Sequence, residues 1–250
     1  MRIHEGTNSI QLEVPTFLCD NSLGDHISEP LPACHHLMVM AGAPGSGKTS
    51  LALGLLTTKP PNRQYRKVFK NVVLFMPKHS MGSLKKNVFE KHDKKKIFHS
   101  INRESLDRCY DMVQGWAEDE DNTLVLIDDM TADLKDHENL KFLAMMINNR
   151  RHLRLSMWFI VQSYVAIPLT LRKLVSHLVM WKPANKKEYQ SMFEELLHAP
   201  KNEADAVTHY CFQERHDHLF VDVGSGKMYR NFNLLSYNST DAENAEVPGQ

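Results

Sequence analysis

The stretch HLMVMAGAPGSGKTSLALGLL, from His36 to Leu56, constrains the fold of this chain more than any other. Its first six residues are an apolar run that reads as a buried strand, and Lys48 to Thr57 reads as a helix. Between them Gly42 and Gly47 are separated by four residues and followed at once by Lys48 and Thr49. Glycines there permit backbone angles and a close approach that a side chain would block, so successive N–H groups can converge on one phosphate group. The helix adds the positive end of its dipole, Lys48 reaches the terminal phosphates, and the Thr49 hydroxyl is placed to ligate Mg²⁺. Strand, loop and helix agree. The P-loop of Gly42, Ala43, Pro44, Gly45, Ser46, Gly47, Lys48, Thr49 and Ser50 is therefore expected to bind a nucleotide.

The same tetrapeptide, GSGK, recurs at Gly224 to Lys227 in HLFVDVGSGKMYRNF. Here Val221 stands where the first glycine is needed, MYRNF is β-like rather than helical, and no hydroxyl follows Lys227. Two short strands joined by a glycine-rich turn are the expectation for this copy, with no nucleotide.

At 250 residues, with 42% hydrophobic and 24% charged, the chain fits one large domain with a sizeable core. No run of about 18 apolar residues occurs and the N-terminus lacks a secretory apolar stretch, so a protein retained inside a cell is expected. Cys19, Cys34, Cys109 and Cys211 have no CxxC spacing and read as reduced thiols. The 30 basic residues balance 30 acidic ones. That balance hides local asymmetry: Lys59 to Arg103 carries 13 Lys/Arg against 2 Asp/Glu, whereas Glu104 to Lys141 carries 3 against 12. The KHDKKK run (Lys91 to Lys96) is either a solvated face or a polyanion-binding loop.

Further apolar runs at Asn71–Pro77, Thr123–Asp128, Leu155–Ser163 and Ser176–Lys182 read as buried strands of a parallel sheet. Helices are expected over Arg103–Glu118, Asn139–Arg151, Lys186–His198 and Glu203–Phe212. This alternation implies an α/β doubly wound layer structure. An irregular segment (1–35), a P-loop domain (36–235) and a flexible tail (236–250) are the expected division.

TLVLIDDM ends a strand in two acids, Asp128 and Asp129. Beside a P-loop, the first is suited to hold Mg²⁺ and the second to orient and deprotonate an attacking water. A helix-initiating pair is the plainer alternative. In LSMWFIVQSY, Gln162 is a polar residue closing an apolar strand; its end falls at the sheet edge where open α/β sheets bind ligands, within reach of a γ-phosphate or the water. In NNRRHLRLS, Arg150, Arg151 and Arg154 either serve a helix C-terminus or supply an arginine finger to a neighbouring subunit, an effect worth roughly 10³ to 10⁵ in rate. No Asn-Lys-x-Asp motif for reading guanine is present, so ATP is the expected nucleotide.

GAPGSGKTS, LVLIDDM, NNRRHLRLSMWFIVQSY and the Pro and Arg of IPLTLRKL together resemble the FtsK/HerA-type genome-packaging ATPases of large DNA viruses, virophages and related elements. The resemblance spans roughly Leu37 to Pro183. It implies a P-loop NTPase with a RecA-like core, a mainly parallel sheet flanked by helices, in which the Gln162 strand lies between the P-loop strand and the Asp128 strand. It also implies a homo-oligomeric ring of roughly five or six subunits that hydrolyses ATP with Mg²⁺ and pumps double-stranded DNA into a capsid, meeting a capsid or portal protein in the infected host cell. Residue by residue, Lys48 and Thr49 would be the Walker A lysine and metal ligand, Asp128 the Walker B aspartate and Asp129 the catalytic carboxylate. Gln162 would sense the γ-phosphate, and Arg151, with Arg150 as rival, would act in trans. Asp129 departs from the Glu that many relatives carry and is one methylene shorter. A P-loop kinase, or an assembly or secretion ATPase acting on proteins, are the alternatives; the paired acids favour water as acceptor over a kinase substrate.

Overall fold

The computed structural model describes residues 22–78, 80, 89, 92–198 and 201–236. The start of the expected N-terminal segment (1–21), much of the basic stretch before His92 and the tail after Ser236 lie outside the described residues.

The chain forms strands β1 (Leu37–Ala41), β2 (Asn71–Phe75), β3 (Ile97–Phe98), β4 (Thr123–Asp128), β5 (Leu155–Val161), β6 (His177–Trp181), β7 (His218–Asp222), β8 (Lys227–Arg230) and β9 (Asn233–Leu234). Helices are α1 (Lys48–Thr57), α2 (Arg103–Glu118), α3 (His137–Asn148), the short α4 (Leu169–Arg172), α5 (Lys186–Met192) and α6 (Lys201–Cys211). They build one sheet in the order β3-β2-β4-β5-β1-β6-β7-β8-β9. From β3 to β6 every pairing is parallel; β7, β8 and β9 extend it antiparallel. As the family resemblance implied, β5 lies between β1 and β4.

The near-continuous apolar runs follow from burial on both faces, since alternate residues of a strand point to opposite sides. Met38, Met40, Leu124, Leu126, Trp158 and Ile160 face Ala52 and Leu55 of α1. Leu37, Val39, Val125, Ile127, Met157 and Phe159 face the other core, which holds Val113 of α2, Met146 of α3, Met192 of α5 and Cys211 of α6. Both Cys109 and Cys211 are buried thiols, and burial pushes Cys109 up to about 12. Leu23, Ile27 and Leu31, in the turns before β1, are buried in the α1-side core. Among the described residues no helix is long and apolar enough to cross a membrane.

Side-chain caps set several helix starts. Asn102 and Ser105 form a reciprocal capping box on α2. The Asp136 carboxylate accepts the Asn139 N–H at 2.9 Å, so α3 begins at His137 rather than Asn139, and it ends at Asn148, before the arginines. The expected Lys186–His198 helix is α-helical to Met192 and then widens into a π-helical turn, Phe193–Leu197. The strand expected to reach Ser163 ends at Val161, which leaves Gln162 just beyond it. The second GSGK joins β7 to β8 as a hairpin, with the Asp222 carboxylate accepting the Gly224 N–H and the Ser225 hydroxyl. In the KHDKKK run, Asp93 caps a short turn over Lys94–Lys96, and Lys96 Nζ bonds Asn71 and lies 4.5 Å above the Trp116 ring.

Candidate nucleotide-binding site

β1, β4 and β5 are adjacent and parallel, so their C-terminal ends deliver the P-loop, Asp128 and Gln162 to one edge of the sheet. Gly45 (φ 75°) and Gly47 (φ 112°) occupy backbone angles that side chains rarely adopt. At Gly42 the constraint is space instead: a Cβ there would lie 2.8 Å from Trp181 Cβ. Gly47 offers α1 no side-chain cap, and no acid occupies the first turn. The leading N–H groups and the dipole of α1 are thus left for an anion.

Lys48 folds back over the loop, its Nζ donating to the carbonyls of Gly42 (2.5 Å) and Ala43 (2.9 Å). Burial lowers its pKa, and the charges of Asp128 and Asp129 work in the opposite direction.

Asp128 is the last residue of β4 and is buried. Burial first, and then the neighbouring Asp129, push its carboxyl up to about 6; the Lys48 charge and a hydrogen bond with the Thr49 side chain oppose them. A buried carboxylate in contact with a hydroxyl, with its charge incompletely compensated, is a donor set that fits a hard divalent cation. Asp129 sits at φ 57°, an uncommon conformation for a non-glycine residue, held by its own N–H to the Ile160 carbonyl at 3.1 Å. That turn aims the carboxylate across β5, where Oδ1 accepts the Gln162 Nε2–H at 3.0 Å.

These groups share one cavity of about 260 Å³, lined by Pro44, Gly45, Lys48, Thr49, Met76, Ser80, Asp128, Asp129, Ile160, Val161 and Gln162. A larger groove of about 390 Å³, between α6 and the chain after β9, is mainly apolar and contains none of them. Met76 and Ser80, just beyond β2, were not expected from the sequence; adjacency of β2 to β4 brings them in.

Arg150 and Arg151 precede β5 and so lie at the opposite sheet edge, a strand length away, roughly 20 Å. Arg150 donates to the Ile147 carbonyl (3.1 Å), at the C-terminal end of α3, and to the His35 carbonyl (3.3 Å), the helix-terminus role weighed for it from the sequence. Arg151 is exposed. Neither side chain enters the cavity of its own chain.

On the β6 flank of the P-loop lies a turn that sequence reasoning passed over, Gln213–Asp217, between α6 and β7. His216 Nδ1–H donates to the Ser46 carbonyl at 2.9 Å, across 170 positions of sequence. No local signal marks this contact, because only the sheet order brings β7 near the P-loop.

Comparison with known proteins bears on this arrangement. The genome packaging NTPase B204 of Sulfolobus turreted icosahedral virus 2, solved with sulfate, superimposes with a TM-score of 0.60 at 13% identity over 81% of this chain and 98% of that one. Its complex with ATP-gammaS gives 0.57 at 13% identity over 78% and 96%. The cytoplasmic domain of the type VII secretion ATPase EccC from Thermomonospora curvata gives 0.51 at 14% identity, over 86% of this chain but only 27% of that one. At such identities the likeness is one of fold, a P-loop ATPase core. No curated protein matches in sequence. The profile of the poxvirus A32 protein matches residues 27–203, well over half of the chain and inclusive of the P-loop, both acids, Gln162 and the two arginines, and by that match the chain belongs to the poxvirus A32 protein family.

Proposed function

We infer that this chain is an ATP-hydrolysing motor that drives double-stranded viral DNA into a capsid. The observation that carries the reading is the gathering of Lys48, Thr49, Asp128, Asp129 and Gln162 around one cavity at the C-terminal edge of a parallel sheet, in a chain of the poxvirus A32 family. The likeness of fold to B204, a genome packaging NTPase solved in complex with ATP-gammaS, supports the same reading.

In this reading the P-loop amides, from Gly42 to Ser50, and Lys48 hold the phosphates of ATP. Thr49 and Asp128 hold Mg²⁺, which neutralises phosphate charge when bound. Asp129 orients the attacking water and takes its proton, and Gln162 donates a hydrogen bond to the γ-phosphate or the water. Arg151, with Arg150 as the second choice, serves a neighbouring subunit of a ring, since it lies at the far edge from its own site. Neutral overall charge is compatible with moving DNA: each subunit needs only a few Lys or Arg in a channel, and weak phosphate contacts let the duplex slide.

The test is ATP turnover by the full chain at low salt with and without double-stranded DNA, alongside its size in solution. Stimulation of several-fold and a multi-subunit species are expected. A DNA-independent rate from a monomer would overturn the DNA motor in favour of an ATPase acting on protein partners.

A further inference from the structure

The turn between α6 and β7 is built more firmly than a connecting loop requires. The Asp217 carboxylate is buried and saturated: it accepts the backbone N–H of Gln213 (3.0 Å) and Glu214 (2.8 Å), the Arg230 guanidinium (2.9 Å) and the Asn231 amide (2.6 Å). A carboxylate with that many donors is a fixed anchor, and it ties the turn to β8 and to the turn that follows it. From this anchored turn His216 reaches the Ser46 carbonyl of the P-loop. The preceding residue, Arg215, lies alongside: a Cβ built on Gly45 would be 3.5 Å from Arg215 Nη2, and one on Gly47 would be 3.5 Å from His216 Nδ1.

Arg215 is exposed, and among the described residues no carboxylate pairs with it. Asp217, two positions away, is already engaged with Arg230. A cation held against the apex of a P-loop, on a turn whose backbone is fixed, with its donors uncommitted among the described residues, is suited to a phosphate oxygen, for which the guanidinium fork offers paired N–H groups. It approaches from the β6–β7 flank, opposite Asp128, Asp129 and Gln162.

We propose that Arg215 contacts the β- or γ-phosphate of a bound nucleoside di- or triphosphate in cis, closing the P-loop on the side away from the acids. His216, through Ser46, is the positioning residue that keeps the turn seated on the loop. The proposal rests on the reading of the P-loop as a nucleotide site.

The experiment measures equilibrium affinity of the full chain for ATPγS, ADP and AMP by calorimetry, together with thermal melting without nucleotide. Arg215→Ala is expected to weaken ATPγS and ADP roughly tenfold, the size of a lost charge-assisted hydrogen bond, to change AMP affinity less than about twofold, and to leave the nucleotide-free melting temperature unchanged. Arg215→Lys should recover part of the loss. Should Arg215→Ala lower the melting temperature, Arg215→Gln, which keeps much of the aliphatic stem, carries the same expectation for affinity. Unchanged ATPγS and ADP affinities, or an equal loss for AMP, would overturn the proposal. Lys48→Ala separates the two levels: if it binds ATPγS like the wild type, the P-loop reading itself fails; if it loses binding while Arg215→Ala keeps it, only the role of Arg215 fails.

Discussion

Asp129 and Lys48 sit at the ends of one electrostatic arrangement, and each has a distinct expected failure. Lys48→Ala removes the cation that lies over the loop carbonyls, so loss of nucleotide binding is expected. Asp129→Asn keeps an oxygen for the Gln162 amide but cannot accept a proton from water. Nucleotide affinity should therefore persist while phosphate release slows by about 10² or more, the usual worth of a positioned base. Single-turnover phosphate release, measured beside affinity, checks both variants; normal turnover by Asp129→Asn would remove the carboxylate from the role of base. The left-handed backbone at Asp129 bears on the one-methylene difference from Glu: the chain turns the residue toward β5 by conformation, where a longer side chain would reach by length.

At the scale of elements, the two GSGK copies make the sharpest contrast. Gly45 and Gly47 have Arg215 and His216 packed beside them, whereas Gly226, at φ 69°, has nothing within 4 Å of a built Cβ. Gly226→Ala should thus cost about 1 kcal/mol through backbone strain alone, seen in urea unfolding, with nucleotide affinity untouched. A drop in that affinity would mean that the hairpin is part of the site. The five strands longest in apolar residues were legible in the sequence, as were α1, α2 and the hairpin, because period and turn residues are local properties. β3 and β9, two residues each, were not: they exist by pairing with β2 and β8, which a short segment cannot announce. Gln162 was read onto the strand and lies just past it. The P-loop and paired acids were legible because their chemistry demands a spacing. The Gln213–Asp217 turn was invisible because its meaning depends on a partner far away in the chain.

Over the whole molecule, charge is unevenly buried, and this sets the response to acid. Burial, foremost, holds His36 down at about 3 and His177 at about 4. His36 is locked as the neutral ring, with Nε2 accepting the Trp158 indole N–H at 2.8 Å and Nδ1–H donating to the Cys34 carbonyl at 2.8 Å. Below the ordinary histidine value near 6.5 the unfolded chain takes up protons that the folded chain refuses. Stability contributed by these rings is complete above about 6.5 and is lost as pH falls toward their folded values, with a limiting slope of about 1.4 kcal/mol per pH unit for each. Asp128 acts in the reverse sense: raised to about 6, it binds its proton more tightly when folded, so its contribution is present in acid and is lost as pH rises through about 6. Two rings against one carboxyl leave a net loss. Urea unfolding of the full chain should accordingly show lower stability at about pH 5 than at about pH 7, and His36→Gln should flatten that dependence; an unchanged slope would place the acid sensitivity elsewhere.

The sheet order also governs when the P-loop can take shape. Of the described strands β1 is the first to leave the ribosome, yet its two neighbours are β5, paired from Leu37 with Met157, and β6, paired from Met38 with His177. Until more than a hundred further residues have been made, the strand beneath the glycines has no lateral partner, and closing so long a loop is entropically slow. A nascent chain halted before Leu155 would carry the whole phosphate-binding motif in its sequence without either of the strands that flank β1.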